Sequence, residues 1–358
     1  MTAKSQIEAL RHVINNPPRP GVFSGRGVVT CAGGKYFPGA WVLVNRLRDL
    51  GCDLPIEVWY RGPSEMSSDM LKILSEFGAH CIDGFSRCWP GISGWEMKAA
   101  AVAGSSFSDV LFIDADNVPS RDPSFLFNEK KYADTGSLFW PDYRFFYPDS
   151  PVWSLFELPA IKARQFESGQ FVVNKKKCWR ALCGAVHMSR ESKFYYSYMY
   201  GDKDTFQMAW RITKTPYTFI QTPPGKIPHT IVQYDLTGDP LFYHRNGSKW
   251  RVPVRGVEIP GFPCEQRCRE HLRTLEKIWS GDLPEKKTAK PIDYGKYPAQ
   301  RQTLSFGPTV GMAPATRKEK GRDGNLYTTG KDTSVVELYG KKYIFRSNEK
   351  MKGIKRAY

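Results

Sequence analysis

The sequence predicts an α/β fold: a mostly parallel central sheet flanked by helices, forming a single large domain with a C-terminal extension. Three observations carry this expectation. Short apolar runs alternate with amphipathic helical stretches as far as residue 113, the pattern of parallel strands joined by helical crossovers. The run Val110-Leu111-Phe112-Ile113 is apolar without interruption, as a strand buried on both faces must be. A chain of 358 residues with 41% hydrophobic and 14% aromatic content can also bury a large core.

Taken in order, residues 1–18 hold a short helix at most, stopped by Asn15-Asn16-Pro17-Pro18. A strand at 27–30 runs into Ala32-Gly33-Gly34-Lys35-Tyr36, where glycines permit a sharp turn and close approach of backbone to a ligand. This is neither G-x-G-x-x-G nor a Gly-Lys-Ser/Thr phosphate loop. Ala40, Leu43, Val44, Leu47 and Leu50 recur at helical spacing, so a helix spans 39–51. A strand at 56–60, a helix at 68–77 and a short strand at 79–82 follow. The helix at 95–106 leads into the central strand and carries Lys98. That lysine is either a solvated surface residue or, if it faces the sheet edge, a phosphate contact.

The central strand ends in Asp114-Ala115-Asp116, followed by Asn117 and Pro119. Two carboxylates beside a core lose hydration and repel each other, and a divalent cation removes both penalties. Residues two apart share one side of a strand. Asp114 and Asp116 can therefore approach one Mg²⁺ or Mn²⁺, a hard ion that also takes phosphate oxygens. The plainer alternative is a polar strand end built from turn-forming residues.

Beyond this point come a strand at 136–140, an aromatic-rich irregular stretch at 141–164, and Glu167-Ser168-Gly169-Gln170 before a strand at 171–174. The helix at 175–188 opens on three lysines, unfavourable at a helix N-terminus. Either it starts later or the lysines extend into water. Asp202 is a candidate helix cap, with Asp204 in the first turn. Late strands are expected at 217–221 and 230–234. His244 follows a short apolar strand; there a neutral imidazole can complete the coordination of the D-x-D ion, or the ring is simply a satisfied polar group. Lys249 stands close by to neutralise a departing diphosphate. A helix at 264–279, a linker over 284–320 and a terminal hairpin around Gly340-Lys341 complete the chain, giving boundaries 1–26, 27–260 and 261–358.

The formal charge of +16 is spread over the chain. No zinc-finger spacing or RNA-recognition pattern accompanies it, so a generally basic surface is expected rather than a nucleic-acid partner. Eight scattered cysteines fit a reducing compartment. No stretch has signal-peptide or membrane-span length, which gives a cytoplasmic expectation for the sequence as it stands, or a secretory-pathway lumen if an anchor has been removed.

The ordered segments GVVTCAGGKYFPGAWVLVNRLRDLGCDLPIEVWYRG, SFSDVLFIDADNVPSRDPSFLF, FESGQFVVNKKKCW, YGDKDTFQMAW and PLFYHRNGSKW together resemble the fungal-type α-mannosyltransferases of glycosyltransferase family 71. The resemblance implies a GT-A-type nucleotide-sugar fold and retaining transfer of a sugar, usually mannose from GDP-mannose (another nucleotide sugar, such as a UDP-sugar, being possible), to a saccharide acceptor. It implies Asp114, Asp116 and His244 as ligands of Mn²⁺ or Mg²⁺, and Gln170 and Asp204 as active-centre residues. Glu167 or Asp204 would bind sugar hydroxyls. Ala32, Gly33, Gly34, Tyr36, Lys98, Ala115 and Lys249, with the D-x-D acids, are assigned to the donor. Two rivals stand beside it. A haloacid-dehalogenase-type phosphatase also ends a strand with D-x-D, and Gly201-Asp202-Lys203-Asp204 would supply its second acid pair. A basic nucleic-acid-binding protein would account for the charge.

Overall fold

The structure is a computed structural model that describes residues 2–88, 92, 94–256 and 258–284, together with four strands beyond residue 317. The chain divides into two compact units, Met1–Leu304 and Ser305–Tyr358. In the second, Lys318–Lys320 pairs antiparallel with Leu326–Thr328, and Thr333–Leu338 with Lys341–Arg346. The latter pair is the terminal hairpin expected from the sequence. Most of the linker expected over 284–320 lies outside the described residues.

The first unit contains β1 (Arg26–Cys31), β2 (Ile56–Tyr60), β3 (Ala79–Asp83), β4 (Asp109–Ile113), β5 (Asn117–Pro119), β6 (Ser137–Phe146), β7 (Ala163–Asn174), β8 (Thr218–Phe219), β9 (Gly225–Ile227), β10 (Thr230–Tyr234) and β11 (Pro240–His244). Seven of these form the central sheet in the order β3-β2-β1-β4-β7-β6-β8. Within it β7 alone runs against the rest, antiparallel to both β4 and β6. The expected mostly parallel sheet flanked by helices is therefore present. A second sheet, β5-β11-β10-β9, is antiparallel.

The core follows from the apolar strands. Val110, Leu111, Phe112 and Ile113 are fully buried. Phe112 stacks on Phe171 across β4 and β7 at 5.0 Å between ring centroids, and Phe171 also meets Phe206 at 4.7 Å and Phe139 at 5.8 Å.

Three expectations are corrected. The stretch expected to be irregular after Pro141 continues as β6 to Phe146, and its partner β7 begins at Ala163. The pairing shifts register at Trp140 and again after Pro141, which breaks the alternation that marks a strand in sequence. The helix Lys175–Arg190 does begin at its lysines, capped by the Asn174 side chain, which accepts the Lys177 N–H at 3.0 Å. Lys176 and Lys177 do extend into water, but Lys175 is fully buried. Its ammonium donates to the Ser105 and Ala103 carbonyls at 2.7 and 3.2 Å, at the C-terminal end of the helix Met97–Gly104, where a cation is favoured. The N-terminal helix is a full one, Ala3–Asn15. It packs on Lys175–Arg190: Ile14 lies at the Gly184 surface and its carbonyl accepts from Arg180 Nε at 3.1 Å.

The C-terminal helix of this unit, Glu265–Ile278, is bound to Phe37–Asp49. The Trp41 indole donates to the His271 carbonyl at 2.7 Å, and Arg267 makes two 2.8 Å bonds to Asp49. Among the described residues no helix is long and apolar enough to cross a membrane.

Phe171 joins β4, β6 and the helix Asp202–Ile212 in one aromatic cluster. Phe171→Ala is expected to lower unfolding free energy by about 3–5 kcal/mol, measured by urea denaturation; a loss below about 1 kcal/mol, the range of ordinary surface changes, would contradict this packing.

Candidate active site

The end of β4 is held from two sides. On one, β4 pairs with β7 so that Ile113 faces Gln170, and the next amide, Asp114 N–H, donates to the Gly169 carbonyl at 2.8 Å. On the other, β5 pairs with β11 in a register that sets Asn117 opposite His244. Arg245 N–H then donates to the Asp116 carbonyl at 2.9 Å. The D-x-D segment thus lies between Glu167–Gln170 of the reversed strand and His244 of the second sheet.

Two glycines make room for this. A Cβ at Gly169 would collide with His244 Nδ1 and sit 2.9 Å from Glu167 Oε1. A Cβ at Gly39 would lie 2.7 Å from the Ala115 carbonyl oxygen. Both distances are shorter than side chains tolerate, so the imidazole and the D-x-D backbone can come this close only over glycine.

The result is a cluster in which Asp114, Asp116 and His244 each offer a ligand atom within 4.8 Å of the others. His244 Nε2 lies 3.2 Å from Asp116 Oδ1 and 3.8 Å from Asp114 Oδ2, while its Nδ1 lies 3.2 Å from Glu167 Oε1. With Glu167 accepting the Nδ1 proton, release of the Nε2 proton would leave that nitrogen's lone pair facing the carboxylates. That is the orientation in which carboxylate-supported histidines bind metals. Two hard oxygens and one imidazole nitrogen suit Mn²⁺ well and Mg²⁺ adequately, so the donor set fits the expected ion.

The charges around the cluster are arranged in pairs. Lys98 is buried, and its ammonium reaches Asp114 Oδ2 at 3.1 Å, Asp202 Oδ2 at 2.9 Å, the Ser168 carbonyl at 2.9 Å and Ser168 Oγ at 3.0 Å. Its ammonium is surrounded by protein oxygens, so it is neither solvated nor at the open surface. Lys249 forms an ion pair with Asp116 Oδ2. Burial pushes Asp114 up to about 6 despite Lys98 and His244. For Asp116 burial acts in the same direction, but His244 and Lys249 outweigh it and hold the carboxyl well below its usual range.

The remaining expected residues fall in two places. Gln170 and Glu167 are in the cluster: Gln170 is fully buried, its Nε2 donates to Glu167 Oε2 at 2.9 Å and its Oε1 accepts from Asn117 Nδ2 at 2.6 Å. Ala32, Gly33 and Gly34 lead into a 3₁₀ turn, Gly34–Tyr36. The Tyr36 ring faces the ammonium groups of Lys35 at 5.2 Å and Lys249 at 6.0 Å. An open cavity of about 410 Å³ is lined here by Lys35, Tyr36, Lys249, Arg251 and Trp279. Asp204 is fully buried but turned elsewhere, accepting from Tyr200 N–H at 2.8 Å and lying 3.4 Å from Lys203 Nζ. The acid of that pair which reaches the cluster, through Lys98, is Asp202. Asn117, Ser168 and Asp202 carry contacts that the sequence did not assign. Asn117 and Ser168 have adjacency to the D-x-D and Glu167–Gln170 motifs as their only sequence signal; Asp202, expected as a helix cap, instead lies inside the first turn, after Gly201.

A family model described as "Mannosyltransferase putative" matches residues 25–151 and 155–233, more than half of the chain. The chain is 28% identical over 328 residues to Alpha-1,2-mannosyltransferase MNN5 of Saccharomyces cerevisiae, covering 73% of this chain and 53% of that protein. It is 32% identical over 148 residues to Alpha-1,2-mannosyltransferase MNN2 of the same yeast, covering 39% and 25%. The chain thus spans between a quarter and about half the length of these relatives. Among solved structures, the glycosyltransferase GlyE of Streptococcus pneumoniae aligns with a TM-score of 0.43 at 15% identity, covering 74% of this chain and 66% of that one.

An ion entering the cluster competes with protons. Asp114 titrates near 6, and His244 is raised above its ordinary value because Asp116 and Glu167 outweigh the burial that opposes its charge. Mn²⁺ affinity, measured by calorimetry, is expected to rise as the pH is raised through about 6, where Asp114 gives up its proton, and to rise further at higher pH as His244 gives up its own. Glu167→Gln, which removes the carboxylate behind His244, is expected to weaken binding about 10–100-fold.

Proposed function

The chain belongs to the mannosyltransferase family whose model it matches, and from that premise we propose that it is a metal-dependent retaining glycosyltransferase, moving mannose from GDP-mannose to a hydroxyl of a saccharide acceptor with α linkage. The observation that carries this reading is the convergence of Asp114, Asp116 and His244 Nε2. The agreement between the family match and the fungal-type α-mannosyltransferase resemblance supports the choice of sugar.

The groups around the cluster have separable tasks. Asp114, Asp116 and His244 would hold Mn²⁺, which supplies Lewis acidity to the donor diphosphate when bound. Lys249, paired with Asp116 and facing Tyr36, adds positive charge where the leaving group accumulates negative charge. Glu167 fixes the His244 ring. Gln170, its carboxamide locked between Asn117 and Glu167, presents a preorganised dipole beside the sugar without being able to rotate away. Lys98, paired with Asp114, would orient that carboxylate. The acceptor hydroxyl attacks on the face from which the diphosphate departs and gives its proton to a leaving-group oxygen.

The test is a donor screen with Mn²⁺, following acceptor-free hydrolysis of GDP-mannose, UDP-glucose, UDP-galactose and UDP-xylose. GDP-mannose is expected to be turned over selectively. Lys249→Ala is expected to lower kcat about 10²–10³-fold, as for loss of one preorganised electrostatic contact, while Mn²⁺ binding persists. Turnover that does not depend on a divalent ion would overturn the assignment.

A further inference from the structure

Two large aromatic side chains lie in the open on segments tied to this cluster through Lys98 and Asp202. Trp95 is 63% exposed and Tyr200 61%, whereas Trp41, Trp59, Trp140 and Trp210 are all fully buried. Single exposed aromatics are ordinary on protein surfaces; these two are set apart by their surroundings. Neither ring is at a random place on the surface. Trp95 stands one turn before Lys98, whose N–H donates to the Trp95 carbonyl at 3.3 Å. Tyr200 stands two residues before Asp202. The Lys98–Asp202 ion pair at 2.9 Å ties the two segments together, and the Lys98–Asp114 pair at 3.1 Å ties both to the cluster. Between them lies Gly201, where a Cβ would come 3.6 Å from the Trp95 ring.

We propose that Trp95 and Tyr200 form the platform that binds the saccharide acceptor, the apolar C–H faces of its pyranose rings lying on the two aromatic rings. This rests on the glycosyl-transfer reading above. The chemistry of the surroundings matches a sugar. Tyr200 is preorganised: its N–H is held by buried Asp204, and its ring is faced by the Arg144 guanidinium at 4.4 Å and the Lys203 ammonium at 5.5 Å. Arg144 is exposed and offers donors to hydroxyl groups around an aromatic floor, the mixed lining that carbohydrate recognition requires. The location matches as well. Lys249 meets the cluster at Asp116, whereas the segments carrying Trp95 and Tyr200 are joined by the Lys98 ion pairs with Asp114 and Asp202. A donor diphosphate and an acceptor sugar would then reach the centre by different carboxylates. Asp204 acquires a role in this arrangement as a positioning residue: it fixes the Tyr200 backbone, and Lys203 links it to Asp142, two residues before Arg144, at 3.0 Å.

The test uses the full chain with Mn²⁺, GDP-mannose and a mannobiose acceptor. Trp95→Ala and Tyr200→Ala are each expected to raise the acceptor KM at least about tenfold, the loss of one stacked ring. Melting temperature and affinity for GDP with Mn²⁺ should stay at their wild-type values, and Trp95→Phe should recover most of the affinity. An unchanged acceptor KM in both alanine variants would overturn the platform. If wild type turns over no nucleotide sugar, the glycosyl-transfer reading fails. Saturation-transfer NMR with mannobiose then judges the platform separately: a transfer signal that disappears in Trp95→Ala supports it, and the absence of any signal with wild type overturns it.

Discussion

The structure depends on keeping a dense set of charges neutral at the edge of a hydrophobic core. Asp114, Asp116, Glu167 and Asp202 crowd the end of β4, and Lys98, His244 and Lys249 are interleaved among them. An isolated buried carboxylate is strongly unfavourable, and removal of one partner leaves the other uncompensated. Each acid here has a cation within ion-pair distance, and each cation serves more than one acid except Lys249, which meets Asp116 alone. A divalent ion between Asp114, Asp116 and His244 would add positive charge where burial keeps the Asp114 pKa near 6 even with its cations in place.

The sheet topology explains how so many charges gather at one point. Reversal of β7 brings Glu167, Ser168 and Gln170 to the same end of the sheet as Asp114. In a parallel strand these residues would lie away from it. The β5–β11 pair then folds His244 over from a second sheet, its register set by Asn117 opposite His244. Gly169 and Gly39 allow the close approach. Lys98 pairs with Asp114 and Lys249 with Asp116, so the two carboxylates of the D-x-D meet different cations.

The parallel half of the fold was legible because its signals are local. Apolar strands such as Val110–Ile113 and helices with periodic leucines declare themselves within ten residues. The D-x-D acids and His244, which the structure brings together, were legible as candidates for the same reason, as polar residues ending apolar strands. The extent of β6 and β7 was not, because Pro141 and two register shifts erase the alternation, and because Glu167, Ser168 and Gln170 are polar residues inside a buried strand. Their partners lie far away in sequence: Glu167 and His244 are 77 residues apart, and Lys98 and Ser168 are 70 apart. The distinction between Asp202 and Asp204 was invisible for a simpler reason. Both lie in the first turn of one helix, and only its rotation decides which acid meets Lys98 and which turns back to Tyr200. Lys175 likewise reads as a misplaced surface charge until the helix end formed by Ala103 and Ser105 is seen beneath it.

The central claim is that Asp114, Asp116 and His244 hold one divalent ion that joins the protein to a nucleoside diphosphate. Anomalous diffraction at the manganese edge from crystals grown with Mn²⁺ and GDP tests it most directly. The account predicts one strong peak bounded by an oxygen of each aspartate and His244 Nε2, with diphosphate oxygens on its open side and the Lys249 ammonium turned toward them. A peak at any other site, or GDP bound with the His244–Asp116 and Lys249–Asp116 contacts intact and no metal between them, would contradict it.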